Sequence, residues 1–378
     1  MNILKEEREI FARYFPGLEQ KLRDTDFEER EREGSEVVEV YRQAGGPALL
    51  IPKEYGGMGA GPVDAVAVHR MLGLLSPSLA IAATMHDFTA AFLAEYAMYG
   101  DATKQYLNEI AKDKLFLASG FAEGKSGANI LAPTMRAVPV DGGYKITGAK
   151  KPCSVADSMD YLTASVDVVN ADGSSGQRAI AIIPATAEGI ERLPFWKVRS
   201  LGGAQSKEVR LTDVFIGEDC LFLPQADVPL DVVEAGGFLW FELLVTASYL
   251  GVANGLVERV YTHKRADSVE RVRLLTSIEL SAAALRGLAY EIQTNPVEQR
   301  ISDSLVARML MIRYGVQQQM GQVTYLGAEL LGGMHFIGDA SLEYTLSSCS
   351  ALAFHPPSRL SISEAVDHYV LGGDLQMV

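Results

Sequence analysis

Arg136-Ala137-Val138-Pro139-Val140-Asp141-Gly142-Gly143-Tyr144-Lys145-Ile146-Thr147-Gly148 decides how the chain divides. Two β-prone runs flank an Asp-Gly pair, a residue combination that tolerates the positive φ of a tight hairpin turn, so the stretch predicts a β-hairpin. Working outward, Tyr161 to Val169, Arg178 to Ile183 and Ser206 to Ile216 add strands between turns. The β texture runs from about Leu115 to Leu223.

On either side the apolar residues change period. Leu4 to Leu22 and Phe27 to Ala44 place them at spacings of three and four, with charges between, as amphipathic helices do. A glycine-rich connection, Ile51 to Pro62, leads to a long apolar helical stretch from Ala65 to Ala97 that Ser76-Pro77-Ser78 interrupts. Tyr99-Gly100-Asp101 predicts a helix end followed by a new N-cap. Beyond about Val232 come Phe238 to His263, Leu274 to Thr294, Val297 to Gly333 and Ser361 to Leu371, all helical. The expectation is an α+β protein with an N-terminal helical domain (1–114), a middle β-barrel (115–224) and a C-terminal four-helix bundle (225–378).

Composition narrows the function. With 378 residues, 48% of them hydrophobic, the chain can bury substantial cores. A net charge of −14 argues against a nucleic-acid partner. No stretch reads as apolar and charge-free enough to span a bilayer, and the charged start predicts a cytoplasmic protein. Cys153, Cys220 and Cys349 lie far apart and the six histidines show no ligand spacing, so neither disulfides nor a metal site are expected. His263-Lys264-Arg265 and Arg271-Val272-Arg273 form basic clusters, read either as a solvated helix face or as a phosphate site.

Five segments in order resemble the acyl-CoA dehydrogenase family over nearly the whole chain. Ile51-Pro52-Lys53-Glu54-Tyr55-Gly56-Gly57-Met58-Gly59 is similar to its I-P-x-x-Y-G-G-x-G connection. Tyr99-Gly100-Asp101 through Tyr106-Leu107 resembles its Y-G…Y-L segment, and Tyr144 to Lys150 its Y-x-x-x-G-x-K hairpin. Leu201-Gly202 with Glu208 to Val214 resembles its L-G…E-V-x-F-x-D-V strand, and Glu329 to Met334 its Q-x-x-G-G-x turn. The resemblance implies FAD in a cleft between the β and C-terminal domains and a homodimer or homotetramer that completes the flavin site.

It also implies site residues. Ala122-Glu123-Gly124-Lys125-Ser126-Gly127-Ala128-Asn129 stands for T-E-P-x-x-G-S-D, keeping Glu123 and Gly127. Phe121 and Ser154 correspond to positions touching the isoalloxazine, while Pro152 replaces an aromatic. Arg265 is what is left of the R-x-x-F-G motif and Gly332 and Gly333 fill the G-G turn, and these too are implied FAD contacts, while Ser347-Ser348 stand where the family has an Arg-Asp pair, which weakens the implied dinucleotide contacts.

The family reaction removes a proton α to a thioester carbonyl while hydride leaves for the flavin, and so needs a carboxylate base. The usual terminal-loop glutamate is absent from Ala353-Phe354-His355-Pro356-Pro357-Ser358. Phe241-Glu242-Leu243-Leu244-Val245 resembles the minority pattern that supplies it from the long helix, making Glu242 the first candidate base and His355 the second. A structural ion pair, or a side chain reaching to solvent, is the alternative for Glu242. Phe238, Tyr249 and Phe354 are candidate substrate-binding residues. The expected activity is FAD-dependent α,β-dehydrogenation of a small acyl thioester on an acyl carrier protein or CoA, in secondary metabolism. Electrons would pass to a flavoprotein or to oxygen. Alternatives are a short- or branched-chain acyl-CoA dehydrogenase, a flavin monooxygenase on the same fold such as an amino-sugar N-hydroxylase, and an inactive scaffold.

Overall fold

A computed structural model describes residues 2–97, 101–124, 133–223, 230–264, 266–295 and 302–375. The proposed break at Ser76-Pro77 is real. Helices α5 (Pro62–Leu75) and α6 (Pro77–Tyr96) meet there, because Pro77 has no N–H to continue α5 and suits the first turn of α6, whose Ser76 cap accepts from Leu79 N. The amphipathic N-terminal runs are shorter than their periodicity suggests. They form α1 (Lys5–Tyr14), α2 (Leu18–Asp24), α3 (Phe27–Glu31) and α4 (Val37–Gln43), and left-handed Gly17 and Gly34 fall in the connections. Helix α7 (Asp101–Asp113) follows; Tyr99 and Gly100 lie outside the described residues.

The middle segment is one sheet of β1 (Leu117–Gly120), β2 (Arg136–Val140), β3 (Gly143–Cys153), β4 (Tyr161–Val168), β5 (Gln177–Pro184), β6 (Ile190–Pro194), β7 (Lys207–Gly217) and β8 (Leu221–Phe222). Its strand order is β6-β7-β3-β2-β4-β5-β8, with β1 beside β4. The quoted hairpin is β2–β3, with Val140 opposite Gly143 and Gly142 at φ 74°. Strands β1, β6 and β8 are additions that no alternating pattern had marked.

Three long helices follow: α8 (Leu230–His263), α9 (Ser268–Thr294) and α10 (Asp303–Leu331). Short α11 (Gly333–Gly338), α12 (Ala340–Ser350) and α13 (Arg359–Val370) close the chain. Within α8, residues 235–263 are long and apolar enough to cross a bilayer, contrary to expectation, but this stretch is the shared spine of the protein and lies in its core. It packs on α5 and α6 as well as on α9, α10 and α12, so one core joins the N-terminal and C-terminal helices. Where α8 crosses α5 the backbones nearly touch. A Cβ on Gly73 would lie 1.9 Å from Ser248 O, and one on Gly251 would lie 2.1 Å from Arg70 O. Only glycine permits this approach of α5 to α8.

Candidate functional site: an apolar cleft closed by a buried ion pair

A cleft of about 570 Å³ lies where strand ends meet α6, α8 and the terminal loop. From the sheet come Ser119 at the end of β1, Phe121 just after it, Ser154 just after β3, and Ser206 just before β7. Helix α6 presents Ile81, Met85, Phe88 and Phe92, and α8 presents Phe238 and Phe241. Ala351, Phe354, His355 and Pro356 form the remaining wall, with Trp196 beside them. Phe88 makes tilted or edge contacts with Phe121 at 6.0 Å and Phe241 at 5.3 Å, which ties α6 to both neighbours. Ser154 Oγ and Ser206 Oγ stand 3.0 Å apart, putting two hydroxyls on an otherwise apolar wall. Next to this cleft is a wider basin of about 660 Å³ lined by charged groups, including Glu28, Arg32, Lys197 and Arg199.

Glu242 does not line the cleft. It is fully buried, and both carboxylate oxygens accept from Arg313 Nη1 at 2.8 Å. Burial raises its carboxyl, to about 7, against the lowering pull of the Arg313 cation and its hydrogen bonds. Arg313, equally buried, also donates to Pro357 O at 3.2 Å, Leu352 O at 3.1 Å and His355 O at 2.6 Å. The pair is therefore a clamp: Glu242 fixes Arg313, and Arg313 fixes the loop that brings Phe354 and His355 to the cleft. The ion-pair alternative named for Glu242 is the arrangement found.

Tyr249 sits behind His355 rather than in the cleft, fully buried, with its hydroxyl 2.8 Å from His355 Nε2. Burial first, and then the Arg313 cation, hold the imidazole's pKa down to about 3, so His355 is neutral at physiological pH.

Of the other expected residues, Phe121, Ser154, Phe238 and Phe354 do line the cleft. Glu123 instead accepts from the buried Lys150 Nζ at 2.8 Å and from Thr134 N at 2.8 Å, pinning the strand ends beside the cleft. Gly332 links α10 to α11 and Gly333 begins α11; neither lines the cleft. Gly127 and Arg265 lie outside the described residues. Among the basic clusters, Arg273 pairs with Glu270 on the surface and Arg271 donates to Ala266 O, which favours the solvated-face reading.

Sequence reasoning missed Arg313, Trp196 and the cleft face of α6. Arg313 carried a signal: one cation among Met309, Leu310 and Val316 on a core face. Helix α6 is apolar all round, so its periodicity cannot tell the cleft face from the core face.

Comparison with known proteins bears on what the cleft does. Residues 6–114 match the family model described as Acyl-CoA dehydrogenase, N-terminal domain. The chain is 40% identical to isobutylamine N-hydroxylase of Streptomyces viridifaciens, covering 100% of both chains. It is 29% identical to dibenzothiophene monooxygenase of Rhodococcus erythropolis, over 66% of this chain and 61% of that one. The fold superposes on FMN-bound TdsC of Paenibacillus sp. A11-2 with a TM-score of 0.81 at 19% identity, covering 100% of this chain and 99% of the other. These relatives overturn the expected α,β-dehydrogenation of an acyl thioester: an N-hydroxylase matched end to end, and a monooxygenase, favour the monooxygenase alternative. Glu242, the residue expected as α-proton base, is fully buried, paired with Arg313 and absent from the cleft lining.

Proposed function

The chain belongs to the acyl-CoA dehydrogenase family, and from that premise we propose that it is a flavin-dependent monooxygenase that hydroxylates the nitrogen of a small aliphatic amine. The observation carrying this reading is the cleft itself: large, aromatic, edged by hydroxyls, and without a free carboxylate among the described residues. Proton abstraction from carbon needs a poised base; oxygenation of a nitrogen lone pair does not. The end-to-end relationship to an isobutylamine N-hydroxylase supports the amine as substrate.

The residues fit a flavin. The flat, largely apolar walls suit an isoalloxazine, and Ser119, Ser154 and Ser206 offer hydroxyls to its polar edge. Bound in reduced form, the flavin would supply the electrons that activate molecular oxygen. Ser154 would orient the ring, Phe121 and Trp196 would exclude water, and Phe238, Phe241 and Phe354 would hold the alkyl group of the amine. His355, kept in place by Tyr249 and by the Glu242–Arg313 clamp, is the titratable side chain nearest the chemistry and the candidate catalytic residue. FMN is favoured over the FAD first expected, because Ser347 and Ser348 replace the Arg-Asp pair of the family pattern. A separate reductase would deliver the reduced flavin. Exposed Tyr325, Met334, Phe336 and Ile337 on α10 and α11 support a homo-oligomer that covers this apolar surface.

The test is a paired incubation. With reduced FMN, oxygen and a panel of short alkylamines, hydroxylamine should accumulate; with oxidised flavin and acyl thioesters under anaerobic conditions, the flavin band should persist. Bleaching by a thioester and no hydroxylamine from any amine would refute the proposal.

A further inference from the structure

Alkylamines are almost entirely protonated at neutral pH, yet no described residue lining the cleft that would receive one carries a charge. Among the described lining residues there is no aspartate, glutamate, lysine or arginine. An ammonium moved there would shed its hydration without meeting a counter-ion from any described side chain, a costly form of burial.

The described charges on the elements packed around the cleft are engaged elsewhere. On α6, Asp87 points away from the cleft face, its Oδ2 2.9 Å from His69 Nε2, while Glu95 accepts from Trp240 Nε1 at 2.8 Å. On α8, Glu242 is closed by Arg313 from α10. Beside Pro152, Lys151 Nζ donates to Glu208 at 2.9 Å. Lys197 and Arg199 flank Val198 but face the neighbouring basin, where Arg199 pairs with Glu28 at 2.8 Å. From the terminal loop comes His355 alone.

His355 does not supply the missing negative end. His355 Nε2 shares a hydrogen bond with the Tyr249 hydroxyl, 2.8 Å away, so one of its ring nitrogens is already engaged behind the cleft. A neutral imidazole carries no negative charge to pair with an ammonium. Burial, then Arg313, keep it neutral rather than cationic.

We propose that the cleft admits its amine only as the uncharged free base, the proton passing to solvent before binding, so that it selects lipophilic primary amines and rejects permanently cationic ones. The inference rests on the amine-oxygenating reading and deepens it. The form that binds is the form that carries the lone pair needed for oxygen transfer, so selection of protonation state and delivery of the reactive species are one step.

The test is calorimetric binding of a short branched alkylamine to the full-length, FMN-loaded protein in buffers of different ionisation enthalpy. About one proton per amine should be released at pH 8, and the apparent Kd should tighten about tenfold per unit from pH 7 to 9, because an alkylamine titrates near pH 10. The alcohol of the same skeleton should bind with a pH-independent Kd, and the trimethylated amine should not bind. Ser350→Asp, which places a carboxylate at the cleft rim, should reduce the pH dependence to less than threefold. Binding without proton release, or tight binding of the quaternary amine, overturns the inference. Hydroxylamine assayed on the same samples separates the two layers. Product with pH-flat binding removes only the free-base inference; no product from any amine removes the oxygenation reading beneath it.

Discussion

Replacing Arg313 with methionine tests the clamp most sharply. The substitution leaves Glu242 fully buried without a partner and takes hydrogen bonds from the carbonyls of Leu352, His355 and Pro357. Breaking a buried ion pair from one side costs about 3–5 kcal/mol. The loss should depend on pH with a definite sign. Without Arg313, the folded-state pKa of Glu242 rises further above its ordinary value of 4.5, so the folded state binds more protons than the unfolded chain above that value. Stability of the variant should therefore fall as pH rises from 5 to 9. The double replacement Glu242→Leu with Arg313→Met leaves no buried charge and should recover all but about 1–2 kcal/mol. The loop carbonyls remain without their donor in both variants, so KM for the amine should rise in each, by about tenfold. Urea denaturation at three pH values and steady-state kinetics read these out. An Arg313→Met variant within about 1 kcal/mol of the parent would refute the clamp. A double variant with fully restored KM would refute its role in placing the loop.

Other outcomes follow from the same contacts. Glu242→Gln should lower kcat less than tenfold, whereas loss of a general base would lower it about 10²–10⁴-fold; single-turnover oxidation of reduced flavin with amine distinguishes these. Glu123, held down to about 2 by hydrogen bonds from Lys150 and Thr134 despite the opposing effect of burial, adds stability that is present above pH 4.5 and lost as pH falls through 2. Glu123→Gln should flatten that acid limb and cost about 2–4 kcal/mol at pH 7 by stranding buried Lys150, measured by urea midpoints. Asp87→Ala should cost about 2–4 kcal/mol, because His69, Thr84 and Ser248 form a fully buried network around that carboxylate; thermal melts check it. Phe241→Ala should widen the cleft and shift preference toward bulkier amines, seen as a changed kcat/KM ratio between a branched and a cyclic substrate.

Much of the architecture was legible. Asp141-Gly142 gave the hairpin, Pro77 the helix break, and the change of apolar period the order of helices and strands. Strand β6 escaped because Ile190 to Pro194 has only five residues on the edge of the sheet, with no buried side chain to impose alternation. The site was legible only in part. Phe121, Ser154, Phe238, Phe354 and His355 do meet in space, although 234 positions separate the first from the last. The role of Glu242 was not readable because an apolar helix face signals burial without naming the partner; Arg313 lies 71 residues away on another helix. The reaction class went astray at the same point, since a buried carboxylate and a catalytic one leave the same local pattern.

The most direct test of the central claim is the fate of oxygen. Protein supplied with reduced FMN and a short branched alkylamine under ¹⁸O₂ should yield the hydroxylamine carrying one ¹⁸O atom, detected by mass spectrometry. Unlabelled product, or no oxygenated product alongside anaerobic reduction of the flavin by an acyl thioester, would contradict it.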